Sequence, residues 1–154
     1  QGKDGGLQPA VCDCAPMRDG VHYAEFTNRG PNRQMFVGLV DGHFDPSAST
    51  SQNPRPAYSD QTGATWMLDS RSAGMRHKSQ THNWLGQQGA SVGQTLGLLL
   101  DLNQGSLTVY KGGQRIGVAV PSGSLTGPQY WAADVLCNTR NNFSAVTITR
   151  KPPP

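Results

Sequence analysis

The sequence predicts an all-β fold, a two-sheet antiparallel β-sandwich, and three observations carry that prediction. Nineteen glycines and eleven prolines in 154 residues, with a single glutamate (Glu25) among ten acidic residues, leave too few strong helix formers for long helices. Residues 96–120, LGLLLDLNQGSLTVYKGGQRIGVAV, read as three short apolar runs separated by two turn signals, which is the pattern of a strand meander. Similar short runs bounded by turn residues recur along the chain about every eight to twelve residues, the spacing of a sandwich or barrel.

In chain order, Val11–Ala15 reads as a short edge strand stopped by Pro16. Residues 20–27 form a strand with Val21, Tyr23 and Phe26 as its apolar members, and a turn at Asn28–Arg33 leads to a second strand over 34–40, expected to pair with the first as a hairpin. Asp41–Gly63 is broken by Gly42, Pro46, Pro54 and Pro56, so it reads as a long loop, and loops above about 12 to 15 residues in a compact domain are commonly functional or disordered. Strands follow at 64–68, with Trp66 expected in the core, and at 74–78. Thr81–Ser91 reads as a second polar loop carrying Trp84.

In the meander, Leu96, Leu98, Leu99, Leu100 and Leu102 form a buried strand. Asn103-Gln104-Gly105 turns the chain, Leu107 and Val109 alternate with Thr108 and Tyr110, and Lys111-Gly112-Gly113 leads to Ile116, Val118 and Val120. A turn at 122–127, a strand over 129–137, a turn at 138–142 and a last strand over 143–150 complete the chain. No internal repeat is visible. The expected organisation is a linker and edge strand over 1–15, one β-sandwich domain over 16–150 and a proline-rich tail over 151–154. The first residue, Gln1, and the linker-like ends lead to the expectation that the sequence is a domain of a longer protein.

Several of these segments carry a family resemblance. Leu100-Asp101-Leu102, Gly105, Tyr110, Lys111-Gly112-Gly113 and Ile116-Gly117-Val118-Ala119 follow one another as the corresponding motifs do in the SPRY domain family. Gly20-Val21-His22-Tyr23-Ala24-Glu25-Phe26, Phe36-Val37-Gly38-Leu39-Val40, Trp66 and Tyr130-Trp131-Ala132-Ala133-Asp134-Val135 resemble further motifs of that family, in its order. The resemblance spans roughly residues 16–150. It implies a concanavalin-like jelly-roll arrangement of the two sheets and a function in protein–protein interaction.

Composition limits the function classes. The net charge of +3 comes from nine arginines and four lysines with no run of three basic residues, so a nucleic-acid partner is not expected. No apolar run approaches the roughly 18 residues that span a bilayer, and no membrane partner is expected. Cys12, Cys14 and Cys137 are odd in number and lack a usual zinc spacing. They read as small hydrophobes in a reducing, intracellular compartment.

No metal and no cofactor is expected, and neither is enzyme activity. His22 lies within a strand and reads as structural, while His43, His77 and His82 lie in or near loops. Glu25 is expected to pair with an arginine or with backbone donors. No serine is expected in a nucleophile elbow, and no phosphate-binding Gly-Lys-Ser/Thr follows the glycines of 86–93. Nine scattered aspartates do not make a carboxylate pair for glycoside hydrolysis.

What remains is recognition by loops on a rigid scaffold, where a few aromatic and arginine anchors supply most of the affinity. The resemblance places such a surface at one end of the sandwich. Carried over residue by residue, it comprises Arg29, Arg33, Tyr58, Arg71, Arg76, His77, Cys137, Asn138 and Arg140. Members with a SOCS box carry a tryptophan-glycine pair where this chain has Cys137-Asn138, so the ligand is expected to differ from theirs. The expected partner is a protein or short peptide, with ubiquitin-ligase or scaffold components if the parent chain carries such domains, and the isolated domain is expected to be monomeric. The alternative is a carbohydrate-binding module on the same sandwich, which requires an exposed Trp84 or Trp131 beside polar groups.

Overall fold

A computed structural model describes residues 6–30, 34–50, 52–136 and 145–154. Its strands, in chain order, are β1 (Leu7–Val11), β2 (Val21–Asn28), β3 (Phe36–Asp41), β4 (Thr65–Asp69), β5 (Met75–His77), β6 (Gln80–His82), β7 (Thr95–Asp101), β8 (Ser106–Lys111), β9 (Gln114–Val120), β10 (Gln129–Leu136) and β11 (Val146–Lys151). Two 3-10 turns, Pro46–Ala48 and Ala57–Ser59, lie between β3 and β4. The strands form a six-stranded sheet, β1-β10-β3-β4-β5-β6, and a five-stranded sheet, β11-β2-β7-β8-β9, antiparallel throughout.

The meander β7-β8-β9 is present as its turn residues predict. Asp101 accepts the amides of Asn103 and Gln104 at 2.9 and 3.0 Å, and Gly105 closes the first turn at φ +72°. Leu96, Leu98 and Leu100 point inward and are fully buried, meeting Val37, Leu39, Leu68 and Met75 from the opposite sheet. At the centre, Trp131 of β10 meets Phe26 of β2 edge to face, with ring centres 5.8 Å apart and planes at 72°.

Several expectations are corrected. β2 and β3 are consecutive but do not form a hairpin: β2 lies between β11 and β7, whereas β3 lies between β10 and β4 in the other sheet. The chain is turned out of β2 by the Asn28 side chain, which accepts the Gly30 amide. It is received at the other sheet by Ser70, whose hydroxyl accepts the Met35 amide and whose amide donates to the Met35 carbonyl. The edge strand lies at Leu7–Val11, not 11–15. Cys12 adds one further bond to the Trp131 carbonyl before the chain turns at Cys14.

β6 overlaps the start of the segment read as a loop, and its hairpin with β5 turns through Lys78 and Ser79, both at positive φ and neither a glycine. Trp66 is half-buried at the border of the core rather than within it. Glu25 pairs with Lys151 and accepts from the Tyr23 hydroxyl, not from an arginine, and Lys151 therefore belongs to β11 rather than to a tail. His22 is structural, as expected: its Nε2 donates to the Asp19 carbonyl at 2.7 Å. The readings at 137–144 lie outside the described residues.

Candidate functional site

The long connection between β3 and β4 folds back across the outer face of the six-stranded sheet. Alternation in β3 and β4 turns Phe36, Val40 and Met67 outward. With Ala132 and Ala57 they make a second, smaller core, flanked by Leu7, Val11, Phe44, Tyr58 and Tyr130. Polar bonds fix the loop over this patch. The Asp134 carboxylate of β10 accepts the Ala57 amide at 2.7 Å and the Tyr58 amide at 2.8 Å, and Thr65 donates its hydroxyl to the Ala57 carbonyl at 2.7 Å. Asp60 receives the amides of Thr62, Gly63 and Ala64 and closes the return to β4.

Asp134 is fully buried, and burial pushes its carboxyl up to about 6 against the lowering effect of the two amides. Asp134 and Phe36 are the residues that sequence reasoning missed. The available signal was a lone carboxylate inside the apolar strand QYWAADVL, where a charge has to meet donors.

The loop delivers Tyr58 to the sheet. Its ring stacks on Phe36 at 4.1 Å between centres and 11° between planes, and the Arg76 guanidinium of β5 lies 5.6 Å from its centre. Arg76 also donates to the Thr81 hydroxyl at 2.8 Å and to the Ser79 carbonyl at 3.3 Å, while its Nε is buried without a partner. Two of the sequence-predicted residues, Tyr58 and Arg76, are therefore brought together on the outer face, half-exposed and held from several sides.

His77 is not part of that group. Adjacent strand residues face opposite ways, so Arg76 shares the outer face with Met67 while His77 lies on the inner side, stacked on Trp66 at 3.6 Å and 7°. Its Nδ1 donates to the Thr65 carbonyl at 2.9 Å.

Arg29 and Arg71 are exposed at one end of the sandwich, where backbone bonds join several segments. Arg29 donates its amide to the Ala145 carbonyl, Gly93 to Asn28, and Ala90 to Ser70. Arg71 borders a groove of about 650 Å³ with Gly89, Ala90, Ser91 and Val92. Arg33, Cys137, Asn138 and Arg140 lie outside the described residues.

Other chemistry finds little support. Residues 89–93, Gly-Ala-Ser-Val-Gly, do carry a Gly-x-Ser-x-Gly spacing, which the reading of the sequence had as absent. They lie in the loop before β7, however, with the Ser91 amide bonded to the Gln94 side chain, not at a strand-to-helix turn. Among the described residues no group of three or more His, Cys, Asp or Glu is arranged to hold a metal, and no helix is long and apolar enough to cross a membrane. Cys12 and Cys14 are unbridged and half-buried, and the Cys12 thiol is pushed up to about 11, chiefly by burial and then by its hydrogen bond with Cys14. Of the two tryptophans a sugar-stacking surface requires, Trp131 is 1% exposed in the core, while Trp84 is half-buried, packed against the core and donating its Nε1 to the Ala73 carbonyl at 2.6 Å.

No protein-family model matches the chain, and no curated protein does. Solved structures do match. The SPRY domain of human HERC1 superimposes with a TM-score of 0.72 at 14% identity, over 94% of this chain and 83% of that one. The TRIM65 PSpry domain gives 0.63 at 17% identity, over 94% and 70%. Stonustoxin gives 0.57 at 21% identity over 93% of this chain, which spans only 22% of the toxin chain. The two sheets, their antiparallel order and these superpositions identify the fold as that of a SPRY domain.

Proposed function

We propose that this domain is a non-enzymatic protein-interaction module that captures a protein or short peptide partner. The observation that carries the reading is the Tyr58–Arg76 pair. It is an aromatic ring and a guanidinium on one half-exposed patch, held by Phe36 behind and by Asp134 through the backbone. Aromatic and arginine side chains are the residue types that most often anchor interfaces, and a patch already ordered loses little entropy on binding. Arg29 and Arg71 extend the surface at the end of the sandwich, with Arg33, Cys137, Asn138 and Arg140 as further proposed contributors. The partner is expected to offer carboxylates or carbonyls to these arginines, in keeping with the net charge of +3. His77, on the other side of the sheet, is not needed for this patch.

Selection from a displayed library of random peptides against the folded domain tests the proposal. Enriched peptides should lose at least about tenfold in affinity for Tyr58→Ala and for Arg76→Ala, a loss typical of a true anchor. Peptides that bind both variants as tightly as the parent domain would place recognition elsewhere.

A further inference from the structure

On the inner side of the β5–β6 hairpin, away from the Tyr58–Arg76 patch, two imidazoles share a face. His77 pairs with Gln80 and His82 with Met75, so the two histidines are diagonal neighbours pointing to the same side. Their ring centres are 6.3 Å apart with planes at 51°, and Trp66 lies against both, 3.6 Å from His77 and 6.1 Å from His82. We propose that His77 and His82 bind a late first-row divalent cation, Zn²⁺, Ni²⁺ or Cu²⁺, supplying two of its ligands.

The state of His77 is the second observation. A carbonyl oxygen only accepts, so the bond to Thr65 puts a proton on Nδ1. In the neutral ring Nε2 then carries the lone pair. A backbone carbonyl holding one ring nitrogen so that the other can ligate is the usual support of a metal-binding histidine. The parallel stack on Trp66 fixes the ring plane as well.

The hairpin itself is fixed at some cost. Lys78 and Ser79 turn at φ 51° and 61°, the left-handed region that side chains with a Cβ seldom adopt. That turn keeps His77 and His82 in register.

The geometry needs one adjustment. A metal–nitrogen bond of about 2.0–2.1 Å puts the ion about 3.2 Å from each ring centre, so a tetrahedral angle requires centres about 5 Å apart. His82 is exposed, and rotation of its side chain supplies the difference of about 1 Å. Among the described residues no third histidine, cysteine or carboxylate joins them, so the remaining positions fall to water or to a donor from a second molecule. Two imidazoles select for borderline transition cations over Mg²⁺ and Ca²⁺.

The test is a Zn²⁺ titration of the whole chain, followed through the side-chain ¹⁵N resonances of its four histidines, with Mg²⁺ as the control cation. His77 and His82 should shift together along one saturable curve, with His22 and His43 unmoved and no response to Mg²⁺. His82→Gln should weaken the His77 response at least about tenfold. Ni²⁺ should quench part of the tryptophan fluorescence of the parent chain, and should quench none of the emission of His82→Gln or of the two tryptophans left in Trp66→Phe. Silence of both histidines up to about millimolar Zn²⁺, zinc effects confined to the cysteines, or an unchanged His77 response in His82→Gln would each overturn the proposal.

Discussion

The Asp134 carboxylate, buried in β10, accepts the Tyr58 amide at 2.8 Å across 76 residues of sequence, and so ties the loop that carries the aromatic anchor to an interior strand of the six-stranded sheet. Because the same carboxylate also holds Ala57, one side chain fixes both the loop and the patch it presents.

Removing that acceptor should loosen the loop before it unfolds the domain. Asp134→Ala leaves two buried amides unsatisfied, and a cost of about 2 to 4 kcal/mol is expected. Urea unfolding measures it. Limited proteolysis should find new cleavage between residues 45 and 62 while β7–β9 stays protected.

The pH dependence has a definite sign. The folded-state value of Asp134 is raised from 3.8 to about 6, so between those values the folded state binds the proton that the unfolded chain releases. The stability contributed by this group therefore rises as the pH falls from about 7 to about 4, by up to about 3 kcal/mol. The stability difference between the parent and Asp134→Asn, measured by denaturant unfolding at each pH, should grow in the parent's favour over that range. A difference that is flat or shrinks on acidification would contradict the burial of a charged Asp134.

Trp131 is the largest buried side chain of the core. Trp131→Ala should cost about 3 to 5 kcal/mol through lost contact with Phe26 and the cavity left behind, and Trp131→Phe much less. Calorimetric melting compares the two. A Trp131→Ala domain near parental stability would contradict the position of this residue between the sheets.

Two glycines separate backbone from side-chain obstruction. A Cβ at Gly38 would collide with the carbonyl oxygen of Trp66 in the neighbouring strand, whereas at Gly97 it would meet the Tyr23 hydroxyl. Gly38→Ala should therefore cost about 3 kcal/mol or more, because the ladder has to separate. Gly97→Ala should cost about 1 to 2 kcal/mol, because the tyrosine ring can turn aside from Glu25 and Tyr110. Melting temperatures of the two variants test the order.

Residues 96–120 made the meander legible because period-two apolar residues and glycine turns are local signals. Other features were set by contacts distant in sequence. β2 and β3 read as a hairpin because they are neighbours in the chain, yet the turn at Asn28 and the reception of Met35 by Ser70 send them to different sheets. The β5–β6 hairpin was missed because Lys78-Ser79 carries none of the usual glycine or asparagine signal for positive φ. Tyr58 and Arg76 were both singled out in the sequence, but their proximity depends on Asp134, whose role only the folded loop reveals. Arg76 and His77 are adjacent in the sequence, but alternation along β5 sends them to opposite faces of the sheet.

The most direct test of the interaction surface is to map where a selected peptide touches the domain, by the backbone amide shifts it produces on titration. An interaction surface built on Tyr58 and Arg76 predicts perturbations centred on residues 55–60, Arg76 and Thr81, extending to Arg71. Perturbations confined to the opposite sheet, around exposed Val118 of β9 and the neighbouring Leu85, with Tyr58 and Arg76 unmoved, would contradict it.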